Sequence, residues 1–315
     1  MKYYFAPMEG FTDRTYRKLH SRFFPGTDEY FTPFIAVSQS VTFSASDRKE
    51  LTPENPADSC LVPQLLSKNA GQFAEAVRKL QALGFREVNL NLGCPSGTVV
   101  PKGKGAGMLR DPENLENFLS EAFRLLQDAP VRISVKTRLG FDSPDESTEL
   151  IRIFNRFPIS ELIVHARTKT DFYQGPVRMD AFREMYRCSV HPVVYNGDLL
   201  SAGGCREIAA ACPGLQALMI GRGLLINPAL IREAKGGEPL AKEEYLCFLE
   251  ELFRAWSDEF QSEGNALCRM KDLWKFVIKA FDENKSGIRS VQKSKNGNEY
   301  RSAVRSFFRE TDLIL

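Results

Sequence analysis

Cys94 interrupts the stretch VNLNLGCPSGTVVPKGKGAGML (residues 88–109), where an apolar alternation runs into glycine, cysteine and proline and then a loop of glycines and lysines. A thiol has a reference pKa of about 8.5, so at neutral pH it keeps a proton that a carboxylic acid would already have lost. Other chemically able residues stand at or near the ends of apolar runs: Gln64, Asn91, Lys136, Arg138, His165, Arg167, Asn196 and Asp198. Gly197 and the Gly-Arg-Gly of residues 221–223 add flexible backbone and a cation of the kind that receives a phosphate. Each has an ordinary explanation, such as a buried apolar role for the cysteine, a carboxylate partner for Lys136 or an Asn-Gly turn at Asn196. None of these explains why all occupy one kind of position.

That position has meaning once the apolar runs are read as strands. Segments rich in Val, Ile, Leu and Phe lie at 3–8, 29–37, 60–66, 87–93, 132–139, 161–167, 192–198 and 217–223, most of them separated by stretches of helical period. The second is the least regular, because Pro33 lies inside it. Asn69 precedes a helix that ends at Gly84, and Asp111 with Pro112 opens another. Eight parallel strands with crossovers predict an α/β fold, the TIM (β/α)8 barrel, with an open doubly wound sheet as the alternative. In a barrel the C-terminal strand ends share one mouth, and the loops after strands seven and eight build its usual phosphate site. Beyond residue 239 no strand signal recurs, and Phe248, Leu252, Trp256 and Phe260 follow helical spacing. Residues 1–239 are therefore expected to form the barrel and 240–315 an all-helical domain.

The 315 residues include 42 Lys and Arg against 40 Asp and Glu, a formal charge of +2 that announces no polyanion partner for the chain as a whole. Among seven cysteines there is no Cys-x-x-Cys pair and no histidine at zinc-ligand spacing, which argues against a disulfide framework and against a metal site. The N-terminal residues lack the apolar segment of a secretory signal, and no run of about 18 apolar residues occurs, so a cytoplasmic protein without membrane contact is expected.

Taken in order, APMEGFTD (6–13), NLGCPS (91–96), VKTRLG (135–140), VHARTK (164–169), NGD (196–198) and IGRG (220–223) resemble the motifs of the tRNA-dihydrouridine synthases, FMN-dependent TIM-barrel enzymes with a C-terminal helical domain. The likeness covers essentially the whole chain. It implies that Ala6, Pro7 and Met8 cradle the flavin ring and that Gln64 bonds its edge. Lys136 would sit by the N1/C2 end, where positive charge favours the anionic reduced form. His165 would be a further flavin contact, and Asn196, Gly197, Asp198, Gly221 and Arg222 would surround the ribityl phosphate. Cys94 would be the general acid: reducing the C5=C6 bond of uracil takes a hydride at C6, from flavin reduced by NADPH or NADH, and a proton at C5. Asn91 is the candidate for the uracil edge.

Such an enzyme must hold folded tRNA and extract one base. The basic excess is local, with eleven Lys or Arg against five Asp or Glu between residues 264 and 310. Lys271, Lys275 and Lys279 recur every fourth residue away from the Leu273/Val277/Phe281 stripe, and Arg301, Arg305 and Arg309 repeat the arrangement. These faces, the loop 285–301, Lys102, Lys104 and Arg138 are expected to meet RNA, with residues 97–107 closing as a lid. One rival is a small-molecule flavin barrel of the dihydroorotate dehydrogenase kind, which needs no basic helices. Others are a barrel lyase or aldolase with a Schiff base at Lys136, and an RNA-binding module on an inactive barrel. Family precedent favours a monomer.

Overall fold

The computed structural model describes residues 1–52, 60–282 and 285–315. Among them one parallel sheet contains β1 (Lys2–Phe5), β2 (Glu29–Phe31), β3 (Ile35–Ala36), β4 (Leu61–Val62), β5 (Gln64–Leu66), β6 (Glu87–Asn91), β7 (Arg132–Gly140), β8 (Leu162–Thr168), β9 (Val193–Asn196) and β10 (Ala217–Ile220). Their order is β3-β5-β6-β7-β8-β9-β10-β1-β2-β4. The order begins and ends with pieces of the same two strands. β2 and β3 are halves of one stave broken around Pro33, β4 and β5 are halves of the next broken at Pro63, and β2 pairs with β4 while β3 pairs with β5. The sheet therefore closes on itself as eight staves, and the fold is the TIM barrel.

Proline offers the ladder no N–H, which is why both breaks occur where they do. The gap is bridged by a side chain: Gln64 N–H donates to Thr32 Oγ1 at 3.0 Å, beside the Thr32 N–H to Val62 O bond at 3.1 Å. Four staves end sooner than the apolar runs suggest, β1 at Phe5, β6 at Asn91, β9 at Asn196 and β10 at Ile220. Pro7, Gly93, Gly197 and Gly221 follow those ends, where the chain must leave the ladder and turn. Inside the ring Tyr4, Ala6, Phe31, Val62, Ile163, Val194, Ala217 and Met219 form one buried cluster. Outside it, the helix Ala70–Ala82 is capped by Asn69, whose side chain accepts from Gln72 N, and buries Phe73, Val77 and Leu80. Each such side chain contributes about 1.5–3 kcal/mol of apolar burial.

By packing, the chain divides into two compact units, one comprising residues 1–7, 29–197 and 209–219 and holding the barrel, the other comprising 8–28, 198–208 and 220–315. A boundary drawn at residue 239 would leave the helix Arg14–Phe23 with the barrel. In the structure it packs within the second unit, on residues 224–228 and on the helix Lys242–Phe260: His20 Nε2 lies 2.9 Å from Pro228 O, Tyr16 OH donates to Leu224 O, and the Tyr16 ring meets Phe248 edge-on. The second unit is built on Lys242–Phe260, Glu263–Val277 and Gly297–Glu310, which bury Trp256, Trp274 and Phe307. Residues 285–301 are not the expected loop. They form the helix Lys285–Lys293 and the first turn of Gly297–Glu310, with Val291 and Tyr300 buried in a mostly polar stretch whose apolar residues are too few to display a period.

Candidate active site

Register places the polar residues of neighbouring staves side by side: Asn91 opposite Lys136, Arg138 opposite His165, and His165 opposite Asn196. Because all strands run the same way, these residues gather at the C-terminal end of the ring.

A chain of side-chain amides leads to the cysteine. Asn91 Oδ1 accepts the backbone N–H of Gly93 at 3.1 Å and of Cys94 at 2.9 Å. Those two donors fix the rest of the chain, because an amide oxygen facing them leaves Asn91 Nδ2 to donate to Gln64 Oε1 at 2.7 Å. Gln64 Nε2 then donates to Asn89 Oδ1 at 2.8 Å, and Asn89 Nδ2 to Ser134 Oγ at 3.0 Å. Gln64 and Asn89 are fully buried and Asn91 nearly so. Asn91 thus commits its acceptor to orienting the backbone of Cys94, which leaves one amide hydrogen of Nδ2 for a further partner. Asn89 and Ser134 are members of this chain that sequence reasoning misses, since a polar residue in mid-strand carries no signal of which face it occupies. Asn91→Leu is expected to strand the two N–H groups at about 1–3 kcal/mol each and to slow reduction of the substrate. Thermal unfolding and single-turnover kinetics read the two effects separately.

Lys136 Nζ reaches past β8 to donate to Asn196 Oδ1 at 2.9 Å, and Asn196 Nδ2 donates to Met219 O at 2.8 Å, which fixes the orientation of that amide. Burial brings the lysine pKa down from 10.5 to about 7, with the nearby Arg138 charge adding to the fall and the Cys94 sulfur opposing it. No carboxylate pairs with Lys136 among the described residues.

The loop after Cys94 is a docked element rather than an open lid. It folds into the 3-10 turns Val100–Lys102 and Gly105–Arg110, with Val99, Val100, Ala106 and Met108 buried. Ala106 N donates to Cys94 O at 3.0 Å. Gly105, at φ +56°, lies so close that an added Cβ would stand 2.9 Å from Cys94 O. Lys104 Nζ donates to Val37 O and its pKa is lowered, by burial first and then by Lys102 and Lys68, while Lys102 is exposed. Lys68 thus joins this cationic group from a distant segment, where nothing in its own sequence neighbourhood marks it.

Arg138 is buried and works on backbone: Nε donates to Gly93 O, and Nη1 to Thr168 O and Phe172 O, each at 2.8 Å. His165 Nε2 lies 3.3 Å from Arg167 Nη1, and since a guanidinium can only donate, that nitrogen is the acceptor. Tyr173, half exposed, covers both: its ring centroid is 6.0 Å from that of His165 and 5.3 Å from the Arg138 guanidinium carbon. The signal that could have found it is the aromatic pair in DFYQG, directly after the sixth apolar run.

In the second unit, Met8 closes a turn in which its N–H bonds Thr12 Oγ1 at 2.8 Å and its carbonyl receives Phe11 N and Thr12 N. Asp13 caps the next helix through Tyr16 N at 2.9 Å and accepts from Trp256 Nε1 at 3.0 Å, and burial pushes its carboxyl up to about 6. Arg222 pairs with Asp198, directly after Gly221, so Asp198 holds the arginine rather than offering a carboxylate to an anion. Ala6 is buried among the barrel core residues, with Pro7 half-buried beside it.

A family profile described as Dihydrouridine synthase (Dus) matches residues 4–306. The chain belongs to the dihydrouridine synthase family. Its relatives include the "tRNA-dihydrouridine(16) synthase" of Shigella flexneri, 30% identical over 322 residues that cover 97% of this chain and 98% of the relative. The protein of the same name from Pseudomonas putida is 32% identical over 293 residues, 88% of each. Among solved structures, the old yellow enzyme homologue from Zymomonas mobilis matches at TM-score 0.54 and 12% identity, covering 76% of this chain and 90% of that one. Morphinone reductase matches at TM-score 0.53 and 12% identity, covering 76% and 87%. These two share the barrel of this family member and carry only the fold.

The basic residues of the helical unit are less uniform than their spacing suggests. Lys271 is half-buried and donates to Ser294 O at 2.6 Å, Lys275 pairs with Asp272, Arg301 with Glu263, and Arg305 with Glu250. Lys271 is therefore a strut between helices rather than an open cation. Lys279 and Arg309 are exposed and have no ion-pair partner among the described residues.

Proposed function

We propose that this chain is a tRNA-dihydrouridine synthase that reduces the C5=C6 bond of uridine 16, the position carried by the names of its relatives, with FMN as cofactor and NADPH or NADH as reductant. The observation that carries this reading is the amide chain from Ser134 to Cys94, a buried network that fixes the backbone of Cys94 at the C-terminal end of the barrel strands. The residues fit a flavin. Lys136 is buried and, among the described residues, is bonded by a neutral amide and by no carboxylate, so an anionic ring end would relieve the cost of its charge, and Gln64 still has an amide hydrogen for a ring edge. Ala6, Pro7, Met8 and His165 would line the ring, and Asn196, Gly197, Gly221 and Arg222 would hold the phosphate. When bound, the flavin supplies the hydride for C6.

The chain's own residues do the rest. Cys94 Sγ–H gives its proton to C5, leaving a thiolate that Lys136 stabilises and that water reprotonates. Arg138 keeps the Gly93 carbonyl and the 168–172 turn in place, so that the thiol and Tyr173 bound the space for a uracil turned out of its stack. The barrel, residues 1–239, would carry the chemistry and the helices of 240–315 the tRNA, in a monomer acting in the cytoplasm. Among the described residues no helix is long and apolar enough to cross a membrane.

Two experiments test this. Dihydrouridine mapping in tRNA from a strain lacking the gene should show position 16 unmodified; a loss elsewhere overturns the assigned position. Reversing Lys279 and Arg309 to glutamate should weaken tRNA binding and reduce the salt slope by about one for each phosphate no longer neutralised, with flavin content unchanged. An unaltered slope would remove both residues from the RNA face.

A further inference from the structure

The N-terminal pole of the barrel holds polar residues with no part in that reaction. Glu29 opens β2, Glu87 opens β6 and Glu161 immediately precedes β8, and one carboxylate oxygen of each lies within 4.8 Å of the others. All strands being parallel, this is the end of the ring away from Cys94. Glu87 is 7% exposed and Glu161 8%. Tyr4 OH donates to Glu161 Oε1 at 3.0 Å, and Arg132 donates to Glu87 Oε2 at 2.8 Å. A separate observation concerns what these bonds leave over: Glu87 Oε1 and Glu29 Oε2 are buried, and neither has a hydrogen-bond partner among the described residues.

We propose that Glu29, Glu87 and Glu161 are the ligands of one hard divalent cation, of the Ca2+ class. Charge supports this first. Three carboxyl groups face the single guanidinium of Arg132, so with all three ionised two negative charges would stand uncompensated at a largely buried place, with Lys2 contributing only from the exposed chain end, and a divalent cation balances them. Donor type supports it second, because carboxylate oxygens select hard ions over the soft or nitrogen-seeking ones. Spacing supports it third. At Ca2+–oxygen distances of about 2.3–2.6 Å an ion spans oxygen pairs up to about 5 Å apart, which covers the 4.8 Å spread, whereas Mg2+ at about 2.1 Å spans only about 4.2 Å. Tyr4 OH holds the Glu161 carboxylate, 3.0 Å from Oε1 and 3.3 Å from Oε2, and Arg132 holds that of Glu87 through Oε2, as supporting partners of ligands do.

The competing occupant of such a cluster is a proton. A carboxylate must be ionised to hold a cation, so a metal must displace any proton that the cluster keeps and bind more weakly as the pH falls. Neither cysteine nor histidine is involved, and three glutamates from distant strand starts have no spacing that a sequence displays.

The test uses the flavin-loaded, full-length protein stripped with EDTA and titrated with CaCl2 and MnCl2 by calorimetry, with thermal unfolding read in parallel. Binding of one ion per chain, weakening below neutral pH, and a rise in Tm are expected. Glu87→Gln and, in case that variant is unstable, Glu29→Gln should each weaken binding by about 100-fold or more, while flavin content stays at the wild-type level. Absence of binding to the wild type at millimolar metal, or wild-type affinity in both variants, would overturn the site in favour of shared protons. Neither outcome depends on the reaction assigned to the barrel mouth.

Discussion

Cys94→Ala is expected to abolish dihydrouridine formation while leaving bound flavin, and its reduction by NADPH, at wild-type levels. The separation follows from how the residue is held. Its N–H is bonded by Asn91 Oδ1 and its carbonyl by Ala106 N, so the backbone around it does not depend on the thiol. Removing Sγ takes away the proton donor and leaves these two backbone bonds in place. A positioned general acid contributes about 10²–10⁴-fold, equivalent to about 3–5 kcal/mol of the barrier at about 1.4 kcal/mol per decade. The measurement is single-turnover oxidation of the prereduced enzyme by unmodified tRNA, with nucleoside mass spectrometry of the product. Cys94→Ser should stay close to the alanine variant, because a hydroxyl is a far weaker acid than a thiol. Wild-type turnover in either variant would take Cys94 out of the chemistry.

What was legible in the sequence is what local pattern records. Eight apolar runs became eight staves, the caps at Asn69 and Asp111 stand where their residue types put them, and the polar strand ends do share one pole. Three other features depend on contacts between segments far apart in the chain, which no window of sequence contains. The breaks at Pro33 and Pro63 could be suspected, but not that Thr32 would lend a hydroxyl to close the ring. The glycines of residues 103–107 read as freedom to move, yet Gly105 is there because only a residue without a side chain fits against Cys94. Lysines and arginines at helical spacing read as an open basic face, and the structure closes much of it: Asp272, Glu250 and Glu263 take three of those charges and Ser294 a fourth. Charge counted along a helix overstates the charge offered to a partner wherever the next helix carries the opposite sign.

Lys136→Met should weaken flavin binding by about 10- to 100-fold, the loss expected when a charge-assisted hydrogen bond is removed from a buried site. The pH dependence is the sharper signature. With its pKa brought down by burial to about 7, Lys136 in the flavin-free protein is largely neutral at pH 9 and charged at pH 6. An anionic ligand end favours the ammonium, so binding above pH 7 must draw in a proton, and wild-type affinity falls as the pH rises from 7 to 9. The effect on stability runs the other way. Between about pH 7 and 10.5 the unfolded chain holds the proton that the folded chain has lost, so the flavin-free protein gains stability with rising pH, and the cost of burying the charge is fully present below pH 7. The methionine variant lacks the titrating group, so both slopes should flatten, and the flavin-free variant should be the more stable protein at pH 6. Calorimetry of flavin binding in two buffers of different ionisation enthalpy counts the proton, and urea unfolding at pH 6 and 9 reads the stability. A wild-type affinity that does not vary with pH, matched by the variant at every pH, would place Lys136 away from the flavin and leave its bond to Asn196 as a structural contact alone.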